Sequence, residues 1–428
     1  MNKLRVLWVT NVFTKTIAEA FGTSGVNSVG WIDNPMEYMR KDTDLRVCTP
    51  SSLVDVTTQK EMNGMTFYYI PRKSKNGFAF ESDLTGACKA ILSEFKPSII
   101  HIWGTEFPFT WNMVMACKEL GLLDNVVISI QGLVSVYSKE EHFFGSVPAR
   151  IRNRKTFKNV VKRDNSEAFR KMLEKRGDYE ILSIRNAKHF IGRTDWDQAC
   201  VGLLNPNANY HYCSETLRDP FYKEGWTNGG CQKHRVFMSQ GGIPYKGLHI
   251  ALEAVSLLKK EYRDVEFYIT GRNLKPDCSL GQKLRLGYYE RYLMKLIEKW
   301  NLENTVHFLG TLDAEQMRQQ YKMANVFILP SAIENSPNSL GEAMLMGTPS
   351  VAADVGGVKN LMVHEKEGYI FQHDAAYMLA YYIRRIFEAP PEAIREMSEN
   401  AKLHAQKLYN PIENHARLLQ IYREIMQE

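Results

Sequence analysis

Glu334 and Glu342 are the residues of this sequence best placed to do chemistry. Seven residues separate them, inside a stretch running from 326 to 357. A buried apolar run, Val326–Leu329, ends at Pro330, and a short loop carries Glu334. Ser336 is a good N-cap and Pro337 suits a first helical position, so the pattern predicts a helix ending at Met346, stopped by Gly347 with Pro349 beyond. A strand at 350–353 and the Gly356-Gly357 turn follow. In this geometry the amides of Asn338 and Ser339 are first-turn donors without a partner inside the helix, backed by the positive end of its dipole. A diphosphate fits such a turn. Glu334 precedes the turn, and Glu342 lies more than a turn inside the helix. The two carboxylates cannot easily share one metal ion. They can contact two parts of one elongated ligand, each as a charged acceptor of hydroxyl hydrogen bonds.

A second constellation lies upstream. A strand at 236–239 runs into Gln240-Gly241-Gly242, then Ile243-Pro244-Tyr245-Lys246-Gly247. Lys246 places a cation after a strand end, and Gly242 leaves the backbone bare there. Weaker signals stand in the first half. Gly22-Thr23-Ser24-Gly25 follows the first strand after a gap, and glycines let a backbone approach a ligand closely. It is not a GxGxxG fingerprint, which argues against a nicotinamide dehydrogenase. Gln131 ends another strand and reads equally as a turn residue. Arg193 ends the strand His189–Gly192, where phosphate contact and plain structural pairing are both open. His101, inside an apolar strand, reads as a packed residue. Asp195 and Asp197 flank Trp196 at a helix start and do not form a metal-holding pair.

These residues need a scaffold, and the chain supplies one. Short apolar, β-branched runs at 4–10, 45–49, 66–70, 98–103, 126–131 and 189–192 predict the strands of a first unit. Runs at 236–239, 265–270, 306–309, 326–329, 350–353 and 369–371 predict those of a second. Most are apolar on both faces, as in a parallel sheet covered by helices. Helical patterns at 83–94, 111–120, 248–260, 288–300 and 314–323 lie between them. The alternation predicts two doubly wound α/β domains, 1–225 and 226–408, side by side around a central cleft, with ligands beyond the carboxyl ends of the strands. Breaks at Asn205-Pro206-Asn207 and Asn228-Gly229-Gly230 mark the join. A last helix, in 409–428, is expected to pack back onto the first domain.

With the elements in place, the sequence resembles the family 4 glycosyltransferases, which have the GT-B fold of two Rossmann-like domains. Their hallmark is two glutamates separated by seven residues in this strand, loop and helix. The flanks Gly347-Thr348-Pro349 and Gly356-Gly357 also fit. The resemblance implies transfer of a sugar from a nucleoside diphosphate donor to a hydroxyl, with retained anomeric configuration and neither cofactor nor metal. It implies that Glu334 holds donor-sugar hydroxyls, that Glu342 holds the ribose, and that Lys246 and the Asn338–Ser339 turn stabilise the leaving diphosphate. Similar enzymes carry an arginine beside the lysine. Here Gln240, Gly241 and Gly242 stand in that region, and Arg272 is a candidate substitute. The loop at Gly25 is implied to touch the donor phosphate, and Gln131 stands where many members have a histidine facing the sugar. Three further readings are a sugar-nucleotide epimerase of the same fold, a non-catalytic sugar-nucleotide-binding subunit, and a basic membrane-surface or nucleic-acid adaptor.

Composition fits these readings. The chain has 428 residues, enough for two domains. Seven scattered cysteines without a CxxC pair argue against a disulfide framework or zinc site, so a reducing cytoplasm is the simplest setting. No run reaches the length of a membrane span, and the first strand is too short for a signal-peptide core. The net charge of +6 concentrates in 150–176. That segment reads either as a solvated helical face or as a surface for anionic lipid at the inner face of a membrane or for a phosphate-bearing acceptor. Few aromatics accompany it, which disfavours nucleic acid. A glycan or lipid-linked acceptor in surface polysaccharide synthesis is the expected partner.

Overall fold

The computed structural model describes residues 3–24, 26, 29–152, 166–271, 274 and 286–428. It divides into two units, each built on its own sheet. The first comprises 1–136, 172–218 and 408–428, and the second 137–171 and 219–407.

The first unit holds β1 (Leu4–Thr10), β2 (Thr43–Ser51), β3 (Thr58–Met62), β4 (Met65–Pro71), β5 (Ile99–Trp103), β6 (Val126–Ser129), β7 (His189–Gly192) and β8 (Asn209–Tyr212). Their order is β3-β4-β2-β1-β5-β6-β7-β8, parallel except for the β3–β4 hairpin. Side chains alternate across the sheet, and both faces are covered. Leu7 and Val9 join one apolar cluster with Ile100, Ile102 and Ile128, while Val6 and Trp8 join another with Leu45, Val47 and Phe67. The helix Pro411–Gln427 closes the second cluster with Leu418, Ile421, Tyr422 and Ile425, the stripe expected of one helical face. Asn410 caps it by accepting from the Ile412 and Glu413 amides. Tyr422 Oη then accepts from Trp8 Nε1 at 3.0 Å and lies 2.6 Å from His101 Nδ1, whose Nε2 lies 2.7 Å from Ser129 Oγ. Burial pushes His101 down to about 3, so the ring is neutral at pH 7 and its two nitrogens serve this network.

The second unit holds β9 (Arg235–Met238), β10 (Glu266–Ile269), β11 (Val306–Phe308), β12 (Val326–Leu329), β13 (Ser350–Ala353) and β14 (Tyr369–Phe371). Their order is β11-β10-β9-β12-β13-β14, all parallel. Three of its helices position the residues of interest: α1 (Leu248–Leu258), α2 (Ala314–Met323) and α3 (Asn338–Met346).

The sequence reading places one boundary at 225/226, with 137–171 in the first domain. In the structure 137–171 belongs to the second unit. The reason is aromatic packing on the β9–α1 loop: the Tyr137 and Phe143 rings lie 6.0 and 5.9 Å from that of Tyr245. Ser146 Oγ also lies 3.0 Å from His249 Nε2. The basic segment 150–176 is therefore split, and 153–165 lies outside the described residues. Of its described cations, Arg152 bonds Glu140 and the Val147 and Gly145 carbonyls, and Arg170 bonds Glu167 and the Ser138 carbonyl. Arg176 sits 4.5 Å from the centres of both Phe78 and Phe107. These three are used by the protein's own packing. Among the described residues, no helix is long and apolar enough to cross a membrane.

Candidate active site

The site is built where β12 gives way to α3. The loop between them is fixed by two glycines on neighbouring connections. Gly247, with φ +73°, would bring a Cβ to 1.8 Å from the Pro330 carbonyl oxygen, so only glycine lets the β9–α1 loop close on the β12 end. Gly356, with φ +50°, would bring a Cβ to 1.6 Å from the Glu334 carbonyl oxygen. The Ala332 amide donates to the Tyr245 carbonyl at 2.7 Å, and the Gly357 amide to that of Asn335 at 3.0 Å. The backbone of Glu334 is thus held from both sides.

Its side chain is buried, 8% exposed. Oε1 accepts from Lys246 Nζ at 2.6 Å and from Ser331 Oγ at 2.7 Å. Oε2 has no partner among the described residues. Lys246 ends a short 3₁₀ turn, Pro244–Lys246, and its side chain is 18% exposed, so it is not the ordinary surface lysine its residue type suggests. Burial works to lower the ammonium's pKa. The charge of Glu334, with Tyr245 and the Glu334 hydrogen bond, outweighs that, and the net shift is upward. Lys246 is held as a cation beside a carboxylate that keeps one oxygen for another donor.

The entry to α3 differs from the sequence reading in one respect. Pro337, at φ −69° and ψ 110°, occupies the N-cap, and no side chain caps the helix. Ser336 does not cap it, because the turn closes one residue later: the Leu340 and Gly341 amides bond the Pro337 carbonyl at 3.0 and 3.2 Å. Asn338 and Ser339 are then the first two helical residues, whose amides precede the helix's own bonding pattern. Ser336 Oγ and Asn338 Oδ1 are buried without a partner at the same end. Glu342 is 4% exposed, with its Oε2 3.4 Å from the Tyr321 hydroxyl. Gly347, at φ +75°, stops the helix as expected. Gly242 lies half-buried in the loop leaving β9, on the same unit.

The structure thus brings Lys246 into contact with Glu334 and sets Asn338, Ser339 and Glu342 on one helix. Gln131 and Arg193 lie in the first unit and meet there on Glu215. Gln131 Nε2 donates to Glu215 Oε1, and Arg193 Nη1 to Oε2. Arg193 Nη2 also reaches the Ile130 carbonyl at 3.4 Å. Burial disfavours this guanidinium, but Glu215 and Asp197 outweigh it and keep it charged. Of the two readings open for Arg193, the structure displays the pairing. Asp197 completes a capping box with Thr194. Gly25 and Arg272 lie outside the described residues. Among the described residues no group of three or more His, Cys, Asp or Glu is placed to hold a metal ion. Ser331, Tyr321 and Glu215 escape sequence reasoning; Tyr321 and Glu215 act through contacts between elements distant in the chain, while Ser331 stands three residues from Glu334. Only the Ser331–Glu334 spacing hints at one of them.

The segment that carries this site is similar to known proteins. Residues 232–404 match the family model described as "Glycosyl transferases group 1". The chain is 27% identical over 171 residues to the putative colanic acid biosynthesis glycosyltransferase WcaL of Escherichia coli, 39% of each chain. It is 27% identical over 155 residues to the amylovoran biosynthesis glycosyltransferase AmsK of Erwinia amylovora, 35% of each. The chain therefore spans well under half the length of these relatives. Among solved structures it resembles sucrose-phosphate synthase from Thermosynechococcus elongatus, with TM-score 0.68 and 18% identity over 99% of both chains. It also resembles Anabaena HepE in complex with UDP and glucose, with TM-score 0.64 and 15% identity over 98% of this chain and 99% of that one. The chain has the GT-B fold, and its residues 232–404 are similar to the group 1 glycosyl transferases.

Proposed function

We propose that this chain is a retaining glycosyltransferase of family 4 that moves a sugar from a nucleoside diphosphate donor to a hydroxyl of a glycan or lipid-linked acceptor. The observation that carries the proposal is the buried Lys246–Glu334 pair next to the helix that bears Glu342, in the domain matched by the group 1 model. Each group has a task. The Asn338 and Ser339 amides and the α3 dipole receive the diphosphate, with Lys246 as the neutralising cation. Glu334 Oε2 accepts a donor-sugar hydroxyl while Oε1 stays on Lys246 and Ser331. Glu342 accepts from the ribose. The acceptor hydroxyl attacks the face from which the diphosphate leaves, through an oxocarbenium-like transition state, and the departing diphosphate takes its proton. Catalysis is then charge stabilisation and positioning. Among the described residues Lys246 is the side-chain cation of this assignment, and the amides and dipole share the phosphate charge with it.

The relatives' names, colanic acid and amylovoran biosynthesis, support a place in surface polysaccharide synthesis, and the HepE complex supports a nucleotide donor. The test is incubation of the purified protein with a panel of UDP-, GDP- and ADP-sugars and a glycan extract. Nucleotide release and product mass are followed, and the anomeric configuration is read by NMR. Transfer with retention supports the proposal. Release of nucleotide without acceptor and with an epimerised sugar replaces it by the epimerase reading. Binding without turnover replaces it by the non-catalytic subunit.

A further inference from the structure

Tyr321 stands on α2, outside the segment that carries the glutamates, and is fully buried. The rings of Phe237, Phe327 and Phe221 meet it edge-on at centroid distances of 5.2, 5.3 and 5.7 Å. Thr348 Oγ1 donates to its carbonyl at 3.0 Å. This packing aims the phenol at the first turns of α3. Its hydroxyl donates to the Ser339 carbonyl at 3.0 Å and lies 3.4 Å from Glu342 Oε2. A phenol has one proton to give, and here it faces two acceptors, of which the carboxylate is the stronger. One buried group thus touches both the turn assigned to the diphosphate and the carboxylate assigned to the ribose.

We infer that Tyr321 is a positioning residue whose hydroxyl sets the direction of the Glu342 carboxylate and so the preference for a ribonucleotide over a deoxyribonucleotide. The inference rests on the donor site proposed above. A tyrosine that only fills the core supports every nucleotide alike. One that aims a carboxylate supports only the nucleotide whose hydroxyl that carboxylate accepts.

Tyr321→Phe keeps the ring and removes the hydroxyl. Dissociation constants are measured for whichever of UDP, GDP and ADP the unaltered protein binds, and for the 2′-deoxy and 3′-deoxy forms of that nucleotide. All are taken well below each variant's own melting midpoint. The unaltered protein should prefer the ribonucleotide to at least one deoxy form by about tenfold or more, the worth of a charged hydrogen bond. In Tyr321→Phe that preference should shrink by about 3- to 10-fold, with affinity for the deoxy form changed by less than about twofold. Glu342→Gln should abolish the preference, and adding Tyr321→Phe to it should change nothing further. Equal losses for ribo and deoxy forms, an unchanged preference, or no preference in the unaltered protein overturns the inference. Absence of nucleoside diphosphate binding by the unaltered protein overturns the donor site itself, and is distinguished by arising before any variant is compared.

Discussion

Gly356→Ala adds one methyl group at a position that touches no ligand in the proposed mechanism, yet it should disable the proposed transfer. The added Cβ would sit 1.6 Å from the Glu334 carbonyl oxygen, against an ordinary contact of at least 3.4 Å. One of the two backbones must therefore retreat by about 2 Å. The residue also sits at φ +50°, which costs a non-glycine about 1–2 kcal/mol. Retreat of the Glu334 backbone drags its carboxylate from Lys246 and Ser331. A misplacement of about 1 Å in a positioning group can cost ~100-fold in rate. Turnover of donor in Gly356→Ala should then fall by about two orders of magnitude. Binding of the bare nucleoside diphosphate should weaken far less, because Glu342 and the α3 turn are held by other contacts. Gly86→Ala is the matched control: it is exposed within the helix Asp83–Phe95, with nothing within 4 Å of the new Cβ, and should leave turnover unchanged. The assay is nucleotide release under saturating donor, with circular dichroism on both variants. Full turnover in folded Gly356→Ala would refute the argument that Gly356 fixes Glu334.

Further expectations follow from the same contacts. Lys246→Ala and Glu334→Ala should each lower turnover by orders of magnitude without unfolding the chain, and normal rates in both purified variants would remove them from the site. Glu342→Ala should mainly weaken nucleotide binding, read by titration with the bare diphosphate, while the rate at saturating donor falls less. Tyr422→Phe leaves Trp8 Nε1 and His101 Nδ1 without their partner and should cost about 1–3 kcal/mol of first-unit stability, seen as a lower thermal midpoint at unchanged nucleotide affinity. His101 and His249 are pushed by burial down to about 3 and about 4. The unfolded chain then binds more protons below its ordinary histidine pKa, so stability is full above pH ~6.5 and falls as pH drops towards those values. Going from pH 7.5 to 5 should cost about 2 kcal/mol for each, and His249→Gln should flatten the dependence in denaturant titrations.

The central strands were legible because their chemistry is unambiguous. Leu4–Thr10 and Val326–Leu329 are apolar on both faces, and the structure sets each inside a parallel sheet. The edges were not. Thr58–Met62 is polar and largely exposed, and its only signal is the Asn63-Gly64 pair, both at positive φ, that turns it into β4. Asn209–Tyr212 follows a Pro-Asn break and carries no apolar alternation. The affiliation of 137–171 with the second unit depends on Phe143 and Tyr137 meeting Tyr245, a contact made about a hundred residues away, which no local pattern encodes. At the site, residue types and spacing pointed to Glu334 and Glu342, and the family resemblance pointed to Lys246. They did not reveal that Lys246 and Glu334 form one buried pair, nor that Ser331 and Tyr321 orient the two carboxylates. The helix entry was misplaced by one residue because Ser336 and Pro337 satisfy the usual preferences one position too early.

The central claim is that α3 with its Glu342, and Glu334 in the loop before it, hold a nucleoside diphosphate sugar. Its most direct test is calorimetric titration of the purified chain with UDP, GDP, ADP and their common sugar conjugates, with and without a chelator. The account predicts that one base binds, that the chelator makes no difference, and that Glu342→Ala weakens that binding by about tenfold or more. Failure of all three nucleotides, or binding that Glu342→Ala leaves intact, would contradict it.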